Sequence, residues 1–208
     1  MTWKQTIQEL ICKPELHAKF LNTLSLLEFI GARKIMKSQM ENQITPSVLA
    51  HATEEIRHAQ VLKKLALKVG GAAVTTYSEE SLMCGALARE YIHGIDYKAQ
   101  EVLGEKDSWR NYLLTTLIVE ERAQELYPFY DGQLAQIGLA GPLQAIVREE
   151  VGHLEDVIEK LRVVGQVSPS MVEDVRDSET KLFDHFFDKV ALELKSLSLK
   201  SDHPGASL

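Results

Sequence analysis

Two pentapeptides of the 208-residue chain share one pattern: Glu54-Glu55-Ile56-Arg57-His58 and Glu149-Glu150-Val151-Gly152-His153 both read Glu-Glu-x-x-His. On a helix, a Glu and a His three residues apart stand about one turn from each other on the same face, so both can reach one metal ion from one side. The spacing is weak by itself, because a chain with this much Glu and His yields roughly one Glu-x-x-His by chance. A third copy, Glu90-Tyr91-Ile92-His93, is in fact present. Position separates the first two from the third. Glu28 precedes Glu55 by 27 residues inside Leu26-Leu27-Glu28-Phe29-Ile30, and Glu120 precedes Glu150 by 30 residues directly after Leu117-Ile118-Val119. A carboxylate in an apolar helix face is costly unless it is paired or bound to metal. Glu90 has no such partner upstream, so Glu90/His93 reads as a coincidence, with a role lining the site as the alternative.

Long helices must carry these residues, and the prolines, glycines and caps of the chain mark out six. Lys13-Pro14 opens the first, running to about Met40 with Leu16, Phe20, Leu24, Leu27, Ile30 and Ile35 at helical spacing. Thr45-Pro46 opens the second, which stops at Gly70-Gly71. Ser78-Glu79-Glu80 opens a third, from about 79 to 103, ended by Gly104. Asp107-Ser108 opens a fourth whose run from Tyr112 to Val119 is apolar nearly all round, implying burial on most sides. Pro128 is expected to kink or end it. Gly141-Pro142 starts a fifth, to about Val164, and Ser168-Pro169 a sixth carrying Val175, Leu182, Phe183, Phe186, Val190, Leu194 and Leu197 on one stripe. This last helix reads as a lid over the others. No segment alternates apolar and polar residues as a strand does. The expected fold is all-α, one domain over residues 1–199, with 200–208 as a frayed C-terminal tail and the third helix as a long crossover between core helices.

In its four Glu and two His the chain resembles the ferritin-like di-iron carboxylate superfamily over residues 14–164, where two helices each give a Glu and two others each give Glu-x-x-His. The resemblance implies a ferritin-like four-helix bundle with an extra crossover helix and an added C-terminal helix. It implies six metal ligands, Glu28, Glu55, His58, Glu120, Glu150 and His153, with Glu55 and Glu150 bridging two ions and one further Glu and one His on each. The ions implied are two Fe, with Fe/Mn or Mn/Mn as alternatives that suit the same oxygen-rich donors. The segments around these residues are most similar to aldehyde-deformylating oxygenases and ferritin-like tRNA hydroxylases. Such a protein is expected to activate dioxygen and oxidise a small or apolar organic substrate, drawing electrons from an external donor. The alternative is a ferroxidase or a peroxide-reducing, rubrerythrin-like or ferritin-like iron-handling protein; a metal-free helical binding protein is a third class. Two departures bear on the choice. Leu62 and Val157 stand one turn after His58 and His153, where ribonucleotide reductase small subunits place a tyrosine at one. Ala123 stands where rubrerythrin-like proteins carry an added Glu, and their rubredoxin-type cysteines are absent.

Several neighbours remain open. Glu54 and Glu149 also lie within one turn of a His and compete as ligands, though the apolar flanks and the family pattern favour Glu55 and Glu150. His51, four residues before Glu55, suits either a hydrogen bond to a ligand or the helix surface. Tyr112 and Tyr127 read as core packing. Gly31, Ala32 and Ala123 either admit close helix packing or leave space for substrate, and Gly152 invites a π-bulge or a close helix contact. The balance of 30 Asp and Glu against 23 Lys and Arg, net −7, argues against nucleic acid and anionic membranes. No apolar run reaches the roughly 18 residues of a membrane span. Cys12 and Cys84 read as free thiols in a reducing compartment, so a cytoplasmic location is expected. A homodimer through the sixth helix is a minority expectation.

Overall fold

The structure is a computed structural model that describes residues 1–40, 42, 44–104 and 107–201, with side chains as far as residue 196. Seven helices account for nearly all of it, and no strand occurs among the described residues: α1 Trp3–Leu10, α2 Pro14–Gln39, α3 Pro46–Gly70, α4 Gly85–Leu103, α5 Ser108–Gln136, α6 Gln144–Val164 and α7 Pro169–Ser201. Their starts follow local chemistry. Thr2 and Gln5 form a reciprocal capping box on α1, Thr45 accepts from Val48 N with Pro46 at the first helical position of α3, and Asp107 accepts from Trp109 N and Arg110 N on α5.

Contacts between helices fix their directions. Asn22 meets Lys63, Ser25 meets Ala59 and Glu28 meets His58, so α2 and α3 are antiparallel. Gln124 meets Glu150 and Glu120 meets His153, so α5 and α6 are antiparallel too. His17 reaches Tyr130 and Gln39 reaches Ser108, pairing α2 with α5, while Glu54 reaches His153 and Arg57 reaches Glu149, pairing α3 with α6. The four helices thus close a ring in which α3 and α5 run the same way. The chain must return along the bundle between them, and α4 makes that return beside α2 and α5.

The structure corrects several expected boundaries. Helix α1 precedes the first helix expected from the sequence; Ile7 and Leu10 are buried, and Trp3 packs edge-on against Phe129 and Phe183. Helix α4 begins at Gly85 rather than near residue 79, where only a 3₁₀ turn forms over Glu79–Ser81. Buried polar groups of α2 hold the preceding segment off the helix: Asn22 donates to the carbonyls of Thr76 and Ser81, and Thr23 exchanges hydrogen bonds with the backbone of Met83. Pro128 does not end α5, which continues to Gln136 with Tyr127, Tyr130 and Leu134 buried; packing outweighs one lost backbone bond. Helix α6 starts at Gln144, just inside the expected point. Helix α7 reaches Ser201, two residues into the expected tail, while residues 202–208 and the side chain of Leu197 lie outside the described set. None of the described helices is long and apolar enough to cross a membrane.

Helix α7 covers α4 through Phe183, Phe186, Phe187, Val190 and Leu194, which are buried with Phe20 and Tyr91. One charged lock crosses this layer. Buried Glu179 accepts from Tyr91 Oη at 2.8 Å and from Arg122 Nε and Nη2 at 2.8 and 2.7 Å, and the Arg122 guanidinium lies over the Phe183 ring at 4.0 Å. Glu179→Leu leaves that cation without its buried partner and should cost about 3 kcal/mol in urea unfolding. Removing the charge as well, in Glu179→Leu/Arg122→Leu, should restore at least half of the loss; a single variant as stable as wild type would refute the lock.

His17 is fully buried against Tyr130, at 2.7 Å from its hydroxyl, and burial lowers its pKa from 6.5 to about 4. The folded state therefore holds His17 neutral while the unfolded chain takes up a proton. Its stabilisation is complete above pH 6.5 and is lost as pH falls toward 4, by up to about 3 kcal/mol. Metal-free wild type minus His17→Gln, measured by urea unfolding across that window, should show the slope; a flat difference would refute it.

Candidate metal centre

Each inward side chain comes from a different turn of the bundle. Helix α2 supplies Glu28, α3 supplies His51, Glu55 and His58, α5 supplies Glu120, and α6 supplies Glu150 and His153. The i, i+4, i+7 spacing of residues 51, 55 and 58 puts all three on one face of α3. Two groups result whose ligand atoms lie within 4.8 Å of one another: Glu28, Glu55, His58 and Glu150, and His51, Glu55, Glu120 and His153. Glu55 belongs to both. Glu150 also spans them, with Oε1 at 3.0 Å from His58 Nδ1 and Oε2 at 3.2 Å from His153 Nδ1. His153 Nδ1 lies 3.4 Å from Glu120 Oε1. All six residues expected from sequence are brought into this one region, and buried Glu and His side chains there can hold a metal ion. Glu90 and His93 are both exposed on α4 and join neither group.

The outward nitrogens of the two expected histidines are held by the residues that competed with the ligands. His58 Nε2 pairs with Glu149 at 2.8 Å, and His153 Nε2 pairs with Glu54 at 2.8 Å. Each Glu-Glu-x-x-His segment thus fixes the imidazole of the other, and Arg57 donates to Glu149 at 2.7 Å. Such outer partners set the ring orientation and tautomer of a metal-binding His. Glu54 and Glu149 therefore face the imidazoles from outside the ligand groups.

The structure decides the reading left open for His51 and adds two tyrosine contacts that sequence reasoning missed. His51 is buried rather than on the surface, with Nε2 at 3.3 Å from both Glu55 Oε1 and Glu120 Oε1 and Nδ1 at 2.7 Å from the Tyr112 hydroxyl. Tyr127 donates its hydroxyl to Glu28. Both tyrosines thus bind site residues and are more than core packing. Tyr127 is seven residues past Glu120, two turns along the same face, which was the available signal. Gly31 and Gly152 also differ from expectation. A Cβ on Gly31 would stand 3.0 Å from Glu55 Oε2, so the glycine makes room for that carboxylate. Gly152 is exposed in regular α-helix with open space around it, so neither a bulge nor a close contact explains it.

Burial and like charge set the protonation of the site. Burial, then the charges of Glu55 and Glu150, push Glu28 well above the usual carboxylate range; burial and Glu150 push Glu120 up as well. Glu150 resists its own burial and is held low by hydrogen bonds with Glu120 and His153 and by the charge of nearby His58. Burial works against the imidazolium forms, yet carboxylate neighbours raise His51 to about 9 and His153 to about 11, and raise His58 too. In the absence of a cation, burial and like charge thus favour the protonated forms of Glu28, Glu120 and the three imidazoles.

Comparisons of the chain with protein-family models, with curated proteins and with solved structures each give no match.

Gly31→Ala tests the crowding at Glu55. The added methyl favours helix by up to about 1 kcal/mol, so metal-free stability should hold or rise in thermal unfolding. Metal affinity should fall about tenfold, because Glu55 must move. Unchanged affinity in a Co(II) titration would show that Glu55 has slack.

Proposed function

We propose that the chain is a ferritin-like di-metal oxidoreductase that activates dioxygen to oxidise a small or apolar organic substrate. The observation that supports this reading is the pair of overlapping donor groups, which share Glu55 and are spanned by Glu150. Their fit to two cations rests on chemistry. His58 Nδ1 is buried and, although Glu150 Oε1 is only 3.0 Å away, makes no well-aligned hydrogen bond, as expected of a nitrogen placed for another partner. Four carboxylates balance two divalent ions, and carboxylates with imidazoles suit Fe and Mn.

When bound, two Fe(II) ions supply the electrons that reduce dioxygen. The protein's part is positional and electrostatic. Glu54 and Glu149 hold the rings of His153 and His58, so the inward nitrogens stay aimed without rotation. The Tyr127 hydroxyl holds Glu28 from the α5 side and keeps a proton beside that carboxylate. Leu24, Leu117 and Leu62 on the ligand-bearing helices are buried, which keeps the interior near the site dry. Repeated turnover would draw electrons from an external donor.

A second reading, a ferroxidase or peroxide-reducing iron-handling protein, gains from one observation. Glu54, Arg57 and Glu149 form a part-exposed charged rim over the histidines, whose two carboxylates would attract incoming cations.

Anaerobic Fe(II) titration followed by air, read by absorption and Mössbauer spectroscopy, tests both. Two irons per chain are expected in wild type and in Glu90→Ala, and none bound tightly in Glu55→Ala. Fewer than two in wild type would overturn the di-metal reading. Retention of both irons through oxidation and re-reduction by an added donor supports the oxidoreductase; growth of a polynuclear ferric product supports iron handling instead.

A further inference from the structure

We infer that His51 is a seventh metal ligand, a third imidazole that makes the two metal positions unequal. This rests on the di-metal reading above and adds a donor that the six-ligand pattern does not contain. One position would have Glu28, Glu55, Glu150 and His58; the other would have His51, His153, Glu120 and Glu55, with Glu150 spanning the two.

The separations around His51 carry the argument. Donor atoms about 2.1 Å from one ion lie about 3.0 Å apart at right angles and about 3.4 Å apart at the tetrahedral angle. His51 Nε2 stands at 3.3 Å from Glu55 Oε1 and 3.3 Å from Glu120 Oε1, and His153 Nδ1 stands at 3.4 and 3.2 Å from Glu120 and Glu150. A histidine serving only to hydrogen-bond a carboxylate would sit closer to one oxygen, as His58 and His153 do on their outward sides, at 2.8 Å. His51 is instead equidistant from two carboxylates on two helices, as a ligand sharing a common centre is. Its ring centroid lies 4.3 Å from that of His153, so the two imidazoles flank one space.

The ring is also anchored in the manner of its counterparts, but reversed. His58 and His153 aim Nδ1 inward and fix Nε2 on a glutamate; His51 aims Nε2 inward and fixes Nδ1 on the Tyr112 hydroxyl at 2.7 Å. With Nδ1–H donated to Tyr112, a cation that displaces the Nε2 proton would meet the Nε2 lone pair on the side that faces Glu55 and Glu120. A neutral tyrosine replaces a carboxylate as outer partner, so the second position is richer in nitrogen and poorer in negative charge nearby. Nitrogen-rich sites favour later first-row metals over Mn, and the two positions should differ in affinity.

Co(II) binding to the whole chain tests this without reference to turnover. In wild type loaded with two Co(II), proton NMR in water should show three solvent-exchangeable, strongly shifted imidazole N–H resonances, from His51, His58 and His153. His51→Gln should lose one of them, and in the titration one binding step should weaken at least tenfold while the other stays within twofold. Two resonances in wild type would overturn the inference, as would a His51→Gln titration that matches wild type or weakens both steps alike. The resonance count in wild type decides the matter even if the variant folds poorly. Fewer than two Co(II) bound by wild type would instead overturn the di-metal reading itself.

Discussion

Four carboxylates face one another inside an apolar bundle, and their mutual repulsion is the constraint around which the other features arrange themselves. Glu28, Glu55, Glu120 and Glu150 come from all four ring helices, so none can withdraw without moving the helix that carries it. Water is too scarce there to screen them, and like charges at such separations cannot all stay ionised unaided. Protons on Glu28, Glu120 and the three imidazoles relieve the repulsion in one state. Divalent cations would relieve it in another, with the same donor atoms and no rearrangement of the backbone. The site can thus exchange protons for metal, and the overall charge of −7 is a mixture of solvated surface carboxylates and this small interior set.

The constraint explains where the bundle spends polar contacts. Helices α3 and α6 are joined by Glu54 with His153, Arg57 and His58 with Glu149, and Ser47 with Lys160, rather than by a wide apolar seam. Only Ile146, Glu150 and Val157 of α6 are buried. Its other apolar side chains, among them Val147, Leu154, Ile158 and Leu161, are only partly buried against the core, and rotation by one residue would carry Glu150 out of reach. The crossed Glu–His pairs oppose that turn from both segments at once.

Much of this arrangement is legible in residue spacing, and the rest fails for identifiable reasons. Helical period places Glu55 with His58 and Glu150 with His153, and the apolar flanks of Glu28 and Glu120 declare burial before any contact is known. Period also places His51 on the face of Glu55, but it cannot tell which ring nitrogen turns inward, because Tyr112 sits 61 residues away on α5 and makes that choice. The hydroxyl of Tyr127 is hidden for the same reason: an aromatic ring at a core position looks identical whether or not its oxygen finds Glu28. Ser78-Glu79-Glu80 is a sound local helix start, yet α4 begins only at Gly85. Asn22 and Thr23, far away in sequence, hold that segment in another conformation.

The return helix and α7 bear on the site through α5. On that helix Glu120 and Arg122 are two residues apart and so point in nearly opposite directions, one into the site and one toward α7. Glu179 grips Arg122 through two hydrogen bonds and is itself held by Tyr91 of α4, so the outer side of α5 is pinned to two helices. On the inner side Tyr127 engages Glu28 of α2. Opposed anchors of this kind remove rotation about the helix axis, the one freedom that apolar packing restrains poorly. The carboxylate that must stay aimed, Glu120, lies between them, which gives the added helices a part in the geometry of the centre as well as in its cover.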